Sequence, residues 1–407
     1  MRARLELLSV GLFAMVAVLA APAGAGAAAH PQIRVGVFPT GIAVNSTTAT
    51  IYVGNGTTGT LSLIDGQTCN ARNTIGCGQQ VTAVTAGTDP IGVAVDEATN
   101  TVYVVNASGA VAVVNGRRCD AANRSGCRVE PATVRVGEFP QFLAVDSKTH
   151  TIYVANGVSN TVSVIDGRTC NATTTSGCGR PRASVSVGPG PFALVVNEAT
   201  DSVYVTDLGA PTVSVIDART CNATVVRGCA RRPATINVGQ TPGGIALDTR
   251  TNTIYVTGES SDDVSVIDGK TCNARIYTGC RQKPFHVRAG AGARGIAVDE
   301  QTGTVYVANT SANTVSVIDG GTCNASVHSG CGQRAAVAPV GTSPRRVAVD
   351  ERTNTVYVTN AYSNTVTMLN GRTCNGHVTS GCRRPVAVPG ATNKKPSKRV
   401  KPKVFKA

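Results

Sequence analysis

The sequence predicts an all-β chain, a seven-bladed β-propeller of four-stranded antiparallel blades. Three observations carry that prediction: a sevenfold internal repeat, four strand-sized apolar runs in each copy, and the lack of any segment with a 3.6-residue period. The repeat is marked by cysteine pairs with seven residues between their members: Cys69/Cys77, Cys119/Cys127, Cys170/Cys178, Cys221/Cys229, Cys272/Cys280, Cys323/Cys331 and Cys374/Cys382, which use all 14 cysteines. The first member advances by 50 residues once and by 51 five times, and Tyr52, Tyr103, Tyr153, Tyr204, Tyr255, Tyr306 and Tyr357 keep nearly the same step.

The elements follow in chain order. Residues 1 to 29 carry Arg2 and Arg4, an apolar run from Leu7 to Ala21 and small residues up to Ala29, the layout of a removable secretory signal. No later apolar run approaches the ~18 residues of a membrane span. A secreted or cell-envelope location, extracellular or periplasmic, is therefore expected.

The propeller is expected over residues 30 to 390. In the copy at 291 to 341 the runs RGIAVD, GTVYVAN, NTVSVIDG and AAVAPVG are each strand-sized. In TVYVA both alternating faces are apolar, so these strands should be covered on both sides. E-x-T-N-T and N-x-x-S-N-T turns join the inner strands, and Pro/Gly stretches such as VGEFPQF link the copies. Blades that each pack on two neighbours suit this pattern, whereas a β-solenoid usually has shorter coils and needs caps. PQIRVGVFP at 31 to 39 matches PATVRVGEFP at 131 to 140, so the N-terminal strand is expected to complete the last blade; RPVAVPG at 384 to 390 competes for the same slot. Residues 391 to 407 hold seven basic residues and no acid, a tail expected to be disordered.

The words YVTN at 357 to 360, YVAN at 153 to 156 and 306 to 309, NTVSVIDG and GIAVD resemble the YVTN-repeat β-propeller family, close to secreted or periplasmic propellers with a DNA-binding-type propeller fold. The resemblance covers about residues 33 to 390. It implies the fold; such propellers host binding, surface-layer and enzymatic roles alike. The cysteine loop in every copy departs from the ordinary repeat.

In an exported chain, paired thiols at fixed spacing become disulfides, and seven equivalent local pairs point to pairing inside each loop. A ring of this size is worth roughly 2.5 kcal/mol in the chain-entropy model. Zinc would need four ligands, and each loop offers two sulfurs, with a histidine in only two of them, His328 and His377. No metal or other cofactor is expected. The repeated Asp65, Asp166, Asp217, Asp268 and Asp319 of the VIDG and VIDA words read as turn residues bonding their own backbone rather than calcium ligands.

A ligand site in this fold is expected at the funnel mouth, lined by the loops leading into the innermost strands and by those joining the second strand to the third. None of the five histidines, His30, His150, His286, His328 and His377, is placed there, and the acidic, Asn or His set of a propeller lactonase or lyase is only fragmentary. What differs between copies at the mouth is an acidic sector (Asp207, Glu259, Asp262, Asp263), a basic sector (Arg294, Arg345, Arg346) and an aromatic sector with Phe142 and Phe192. Such a cleft can orient a polar or peptide-like ligand; drift of loop residues is the plainer explanation.

A second surface is expected on the opposite face, where the cysteine loops should lie. They hold 20 Lys or Arg, among them Arg117, Arg118, Arg180, Arg182, Arg231, Arg232, Arg281, Lys283, Arg383 and Arg384, against two acids, Asp120 and Glu130. Unless neighbouring acids from Asp96 and Glu97 round to Asp350 and Glu351 neutralise it, this rim attracts polyanions such as wall polymers or nucleic acid. The function expected is a monomeric, non-catalytic binding or scaffold module for a cell-envelope polyanion, nucleic acid or extracellular protein. A lactonase- or lyase-type enzyme with its site at the mouth and a structural surface-layer component are the alternatives.

Overall fold

The computed structural model describes residues 30 to 281 and 283 to 383. The expected signal segment, the competing strand at 384 to 390, Arg384 and the basic tail lie outside the described residues. Within them the chain forms seven four-stranded antiparallel sheets, as the repeat predicts. Blade one consists of Pro39–Asn45, Thr50–Asn55, Thr60–Asp65 and Thr82–Thr85, from the axis outward, and the next five blades repeat this order. No helix among the described residues is long and apolar enough to cross a membrane.

Blade seven is completed across the ends of the chain. Its three strands Pro344–Asp350, Thr355–Asn360 and Thr365–Asn370 take Gln32–Arg34 as the outermost strand, with Ile33 opposite Val366. Ile33 is 1% exposed and packs among Val53, Ile64, Val366 and Met368. His30 Nε2 donates to the Cys382 carbonyl at 2.9 Å, which ties the start of the described chain to its end. Of the two segments that compete for this slot in the sequence, the N-terminal one occupies it.

The apolar alternation of the second strands explains the core. All six residues of Thr355–Asn360 are buried, and the same holds for each equivalent strand, because neighbouring blades cover both faces. Each of the seven repeat tyrosines is fully buried and donates its phenol to the carbonyl of the first cysteine of the next blade, Tyr52 to Cys119 and so round to Tyr357 to Cys69, at 2.6–2.8 Å. Beside it the hydroxyl that opens the second strand accepts from the same loop's backbone, as Thr50 does from Ala121 N and Thr355 from Ala71 N.

The cysteines are paired within their loops as disulfides: Cys69–Cys77, Cys119–Cys127, Cys170–Cys178, Cys221–Cys229, Cys272–Cys280, Cys323–Cys331 and Cys374–Cys382, with Cα–Cα distances of 4.6–4.8 Å. Their physical role is wider than a local staple: each shapes a loop that latches one blade to the preceding one. The loops lie at the surface, but their sulfurs do not: apart from the half-buried Cys127, every cysteine, Cys178, Cys229, Cys280 and Cys331 included, is buried and belongs to the core between its own blade and the one before. Cys178 joins the core of Tyr103 and Ile152, Cys229 that of Tyr153 and Val203, Cys280 that of Tyr204 and Ile254, and Cys331 that of Tyr255 and Val305. A disulfide sulfur has no proton to donate and packs as an apolar group, so the loop turns it inward and leaves its polar residues outside.

In three of the N-x-S/T words of these loops the asparagine is buried and donates Nδ2 to a backbone carbonyl, at Asn171, Asn222 and Asn324, whereas Asn123 of the word Asn123-Arg124-Ser125 is exposed. The VIDG aspartates behave as turn residues: Asp65 accepts from Gln67 N and from the Thr68 hydroxyl.

Candidate ligand site at the channel mouth

The first residues of the innermost strands face one another where the channel opens. Small residues dominate one ring of positions, Gly41, Gly92, Ala193, Gly244 and Gly295, and the four glycines are forced by close approach of the next blade's backbone: a Cβ on Gly244 or Gly295 would stand 2.3 Å from the Arg294 or Arg345 carbonyl. The two large residues of this ring, Phe142 in Pro140–Asp146 and Arg346 in Pro344–Asp350, reach across the space the small ones leave. The Arg346 guanidinium carbon lies 3.7 Å from the Phe142 ring centre and 4.9 Å from that of Phe192. Phe142 and Phe192 meet edge to face at 5.2 Å.

Arg294, in Ala293–Asp299, flanks this stack, 5.1 Å from the Phe192 ring centre, and is ion-paired with Glu259. Arg345 lies 5.4 Å from the centre of Phe38, which in turn is 5.9 Å from Tyr362. Hydroxyls of the second strands set the backbone: Thr257 donates to the Arg294 carbonyl at 2.8 Å, and Arg346 N donates to Thr359 Oγ1 at 3.0 Å. The three arginines are thus held at the starts of the innermost strands Ala293–Asp299 and Pro344–Asp350 rather than on the loops that lead into them.

Three cations with one carboxylate leave the cluster positive. Among the described residues no hydrogen-bond acceptor meets the Arg346 guanidinium, and Arg345 Nε is buried with no partner. Burial, together with the charge of Arg294, pushes Arg346 well below the ordinary arginine range, while Glu259 opposes the shift. Arg345 is lowered for the same leading reason. Phe38 is held in the left-handed region (φ 58°), a conformation that bulky residues rarely adopt.

The remaining predicted acids stand apart from this cluster. Asp207 is fully buried and bonds the hydroxyls of Thr212 and Ser214, the place taken by Asn55 and Asn156 in blades one and three. Asp262 accepts from Gly292 N at 2.8 Å, as Asn160 does from Gly190 N, and so belongs to the blade linkers. Asp263 lies on the outer side of blade five, 3.0 Å from His286 Nδ1. The acidic sector therefore reduces to Glu259. The sequence shows Phe38 and Tyr362 as aromatics, but their association with Arg345 requires blades one and seven to be neighbours.

Arg117, Arg118, Arg180, Arg182, Arg231, Arg232, Arg281, Lys283 and Arg383 are all exposed on the cysteine loops, and none makes a side-chain hydrogen bond or ion pair among the described residues. Other bases of that face do pair: Arg168 with Asp166, Arg219 with Asp217, and Lys148 and Arg275 with Asp201. The buried sulfurs of Cys178, Cys229, Cys280 and Cys331 lie beneath this rim and offer it no ligand atom, being held in disulfides. No group of three or more His, Cys, Asp or Glu among the described residues is placed to hold a metal ion.

Comparison with known proteins adds two findings. Among solved structures, one of Kuenenia stuttgartiensis hydrazine synthase superposes with a TM-score of 0.62 at 18% identity, over 82% of this chain and 95% of that one, which shows the fold alone. No curated protein sequence matches the chain. The family model described as "Lactonase, 7-bladed beta-propeller" matches residues 50–393, most of the chain, and the protein therefore belongs to that family.

Proposed function

We propose that this chain is a non-catalytic binding propeller of the extracellular space or cell envelope, a disulfide-stapled offshoot of the YVTN-repeat type, whose ligand presents a carboxylate or phosphate to the channel mouth. The observation that carries this reading is the Arg346 guanidinium, held against two phenyl rings inside the channel with no acceptor for its donors among the described residues. A half-buried arginine packed this way favours an incoming anion, which supplies acceptors for its donors beside the apolar rings. The phenyl walls favour a ligand with an apolar or planar body beside its anionic group.

The test is calorimetric titration with aldonates, sugar phosphates and short peptide acids, each beside its neutral amide or unphosphorylated counterpart. The anionic member of a pair should bind, and Arg346→Gln should weaken it about tenfold or more, the scale of one charged hydrogen bond. Neutral counterparts binding equally well, or an unchanged affinity in Arg346→Gln, would remove the mouth as an anion site.

The family description favours a second reading, hydrolysis of a lactone. Opening the ring requires a base to activate water, and the one carboxylate at the cluster, Glu259, is engaged by Arg294. Sustained acid release from a sugar lactone in a pH-stat, abolished by Glu259→Gln, would establish that reading instead.

A further inference from the structure

The cysteine-loop bases are not spread evenly around the ring. Blades two to five carry 15 of the 20 Lys or Arg of these loops, and blades one and six one each. Arg180, Arg182, Arg231, Arg232, Arg281 and Lys283 lie on three successive blades of this arc, exposed and without side-chain partners among the described residues.

Most of the acids near the arc are already engaged, and Glu130, exposed on the loop of blade two, is the one acid of these loops without a side-chain partner among the described residues. Asp166 and Asp217 hold Arg168 and Arg219, Asp201 holds both Lys148 and Arg275, and Glu198 accepts from Ser147 N. Asp268 accepts from Lys270 N and the Thr271 hydroxyl. The loops that carry the free charges are held by disulfides and by the Tyr103, Tyr153 and Tyr204 latches, so little ordering is needed on binding.

We infer that this arc is a docking surface for a linear anionic wall-type polymer, one that carries phosphate or carboxylate groups at regular intervals. Charges standing on successive blades are too far apart for one small anion and suit a chain that runs along them. Single-stranded nucleic acid is disfavoured because base stacking needs free rings. Of the two exposed rings of the arc, Phe285 is already stacked on His328 at 3.7 Å, which leaves Tyr277, tethered by its hydroxyl to the Ala274 carbonyl, as a single platform rather than the series that successive bases need. The surface lies on the face opposite the channel mouth and does not depend on the reading of that site.

The experiment is fluorescence anisotropy of the exported full-length protein with end-labelled poly(glycerol phosphate), from 50 to 200 mM salt, beside a single-stranded oligonucleotide of equal charge. Affinity for the polymer should fall tenfold or more across this range, through counterion release. Joint reversal of Arg180, Arg182, Arg231 and Arg232 to Glu should weaken binding at least tenfold, while Arg372→Glu, outside the arc, should change it less than twofold. A neutral pair, Arg281→Gln with Lys283→Gln, should weaken binding about threefold and keeps the test open should the reversal fail to fold. A protein whose seven tail bases are changed to Gln should still respond to the arc substitutions. The inference is overturned by no binding at 50 mM salt, by tighter binding of the oligonucleotide, or by dependence on the tail alone.

Discussion

Asp207 illustrates how one atom's exchange in a repeated scaffold leaves a measurable trace. At the position where blades one and three use Asn55 and Asn156, it keeps the bonds to Thr212 and Ser214 but brings a carboxylate into a fully buried place. Burial pushes its pKa up to about 6, against the hydrogen bonds, which lower it. Between the unfolded value near 3.8 and the folded value near 6 the native state holds the proton more tightly, so stability falls as pH rises through that window. Asp207→Asn should consequently stabilise the protein by about 1–3 kcal/mol at pH 7.5 and by much less at pH 4. Thermal unfolding at the two pH values checks this; an equal effect at both would show that ionisation of Asp207 is not the cause.

Among the elements, the cysteine loop does the most to join one blade to the next. Its disulfide holds the turn in which the first cysteine's carbonyl receives the preceding blade's tyrosine, and that tyrosine sits in a strand buried from end to end. The second cysteine adds packing to the bond, since Cys331 is buried in the same core as Tyr255. Tyr255→Phe keeps the ring and its packing but leaves the Cys323 carbonyl without its donor in a buried setting. The expected cost is about 1–2 kcal/mol, read as a lower urea midpoint with an unchanged slope. If the cost vanished once the disulfides were reduced, the bond would depend on the stapled shape of the loop, as the geometry implies. A cost that survived reduction in full would separate the latch from the staple.

At the scale of the molecule, a ring has no weak end only if its last blade is complete. The three residues Gln32–Arg34 close it, and Ile33 fills a core shared by blades one and seven. Ile33→Ala should cost about 2–4 kcal/mol, as for an aliphatic side chain cut back in a packed core, which is large for so short a strand. Calorimetry should show a single transition moved to lower temperature. A change below about 0.5 kcal/mol would mean that this strand is not what holds the ring shut.

Periodicity by itself was enough to determine the blade count, the strand order within a blade, the pairing of all 14 cysteines and the turn role of the VIDG aspartates. These properties are local or repeated seven times, so spacing and alternation report them directly. The tertiary structure alone decided which terminal segment closes the ring, that Tyr52 and its equivalents bond the next blade's cysteine carbonyl, that Cys178, Cys229, Cys280 and Cys331 turn inward from polar loops, and which mouth residues meet. Asp207, Asp262 and Glu259 look alike in the chain, yet the first two are taken up by hydroxyls and a linker amide while only Glu259 faces Arg294. Phe142 and Arg346, about two hundred residues apart in sequence, touch because they cross the axis from blades on opposite sides of the ring. Contacts of that kind depend on how far each side chain reaches into a shared channel, and no repeat spacing records that distance.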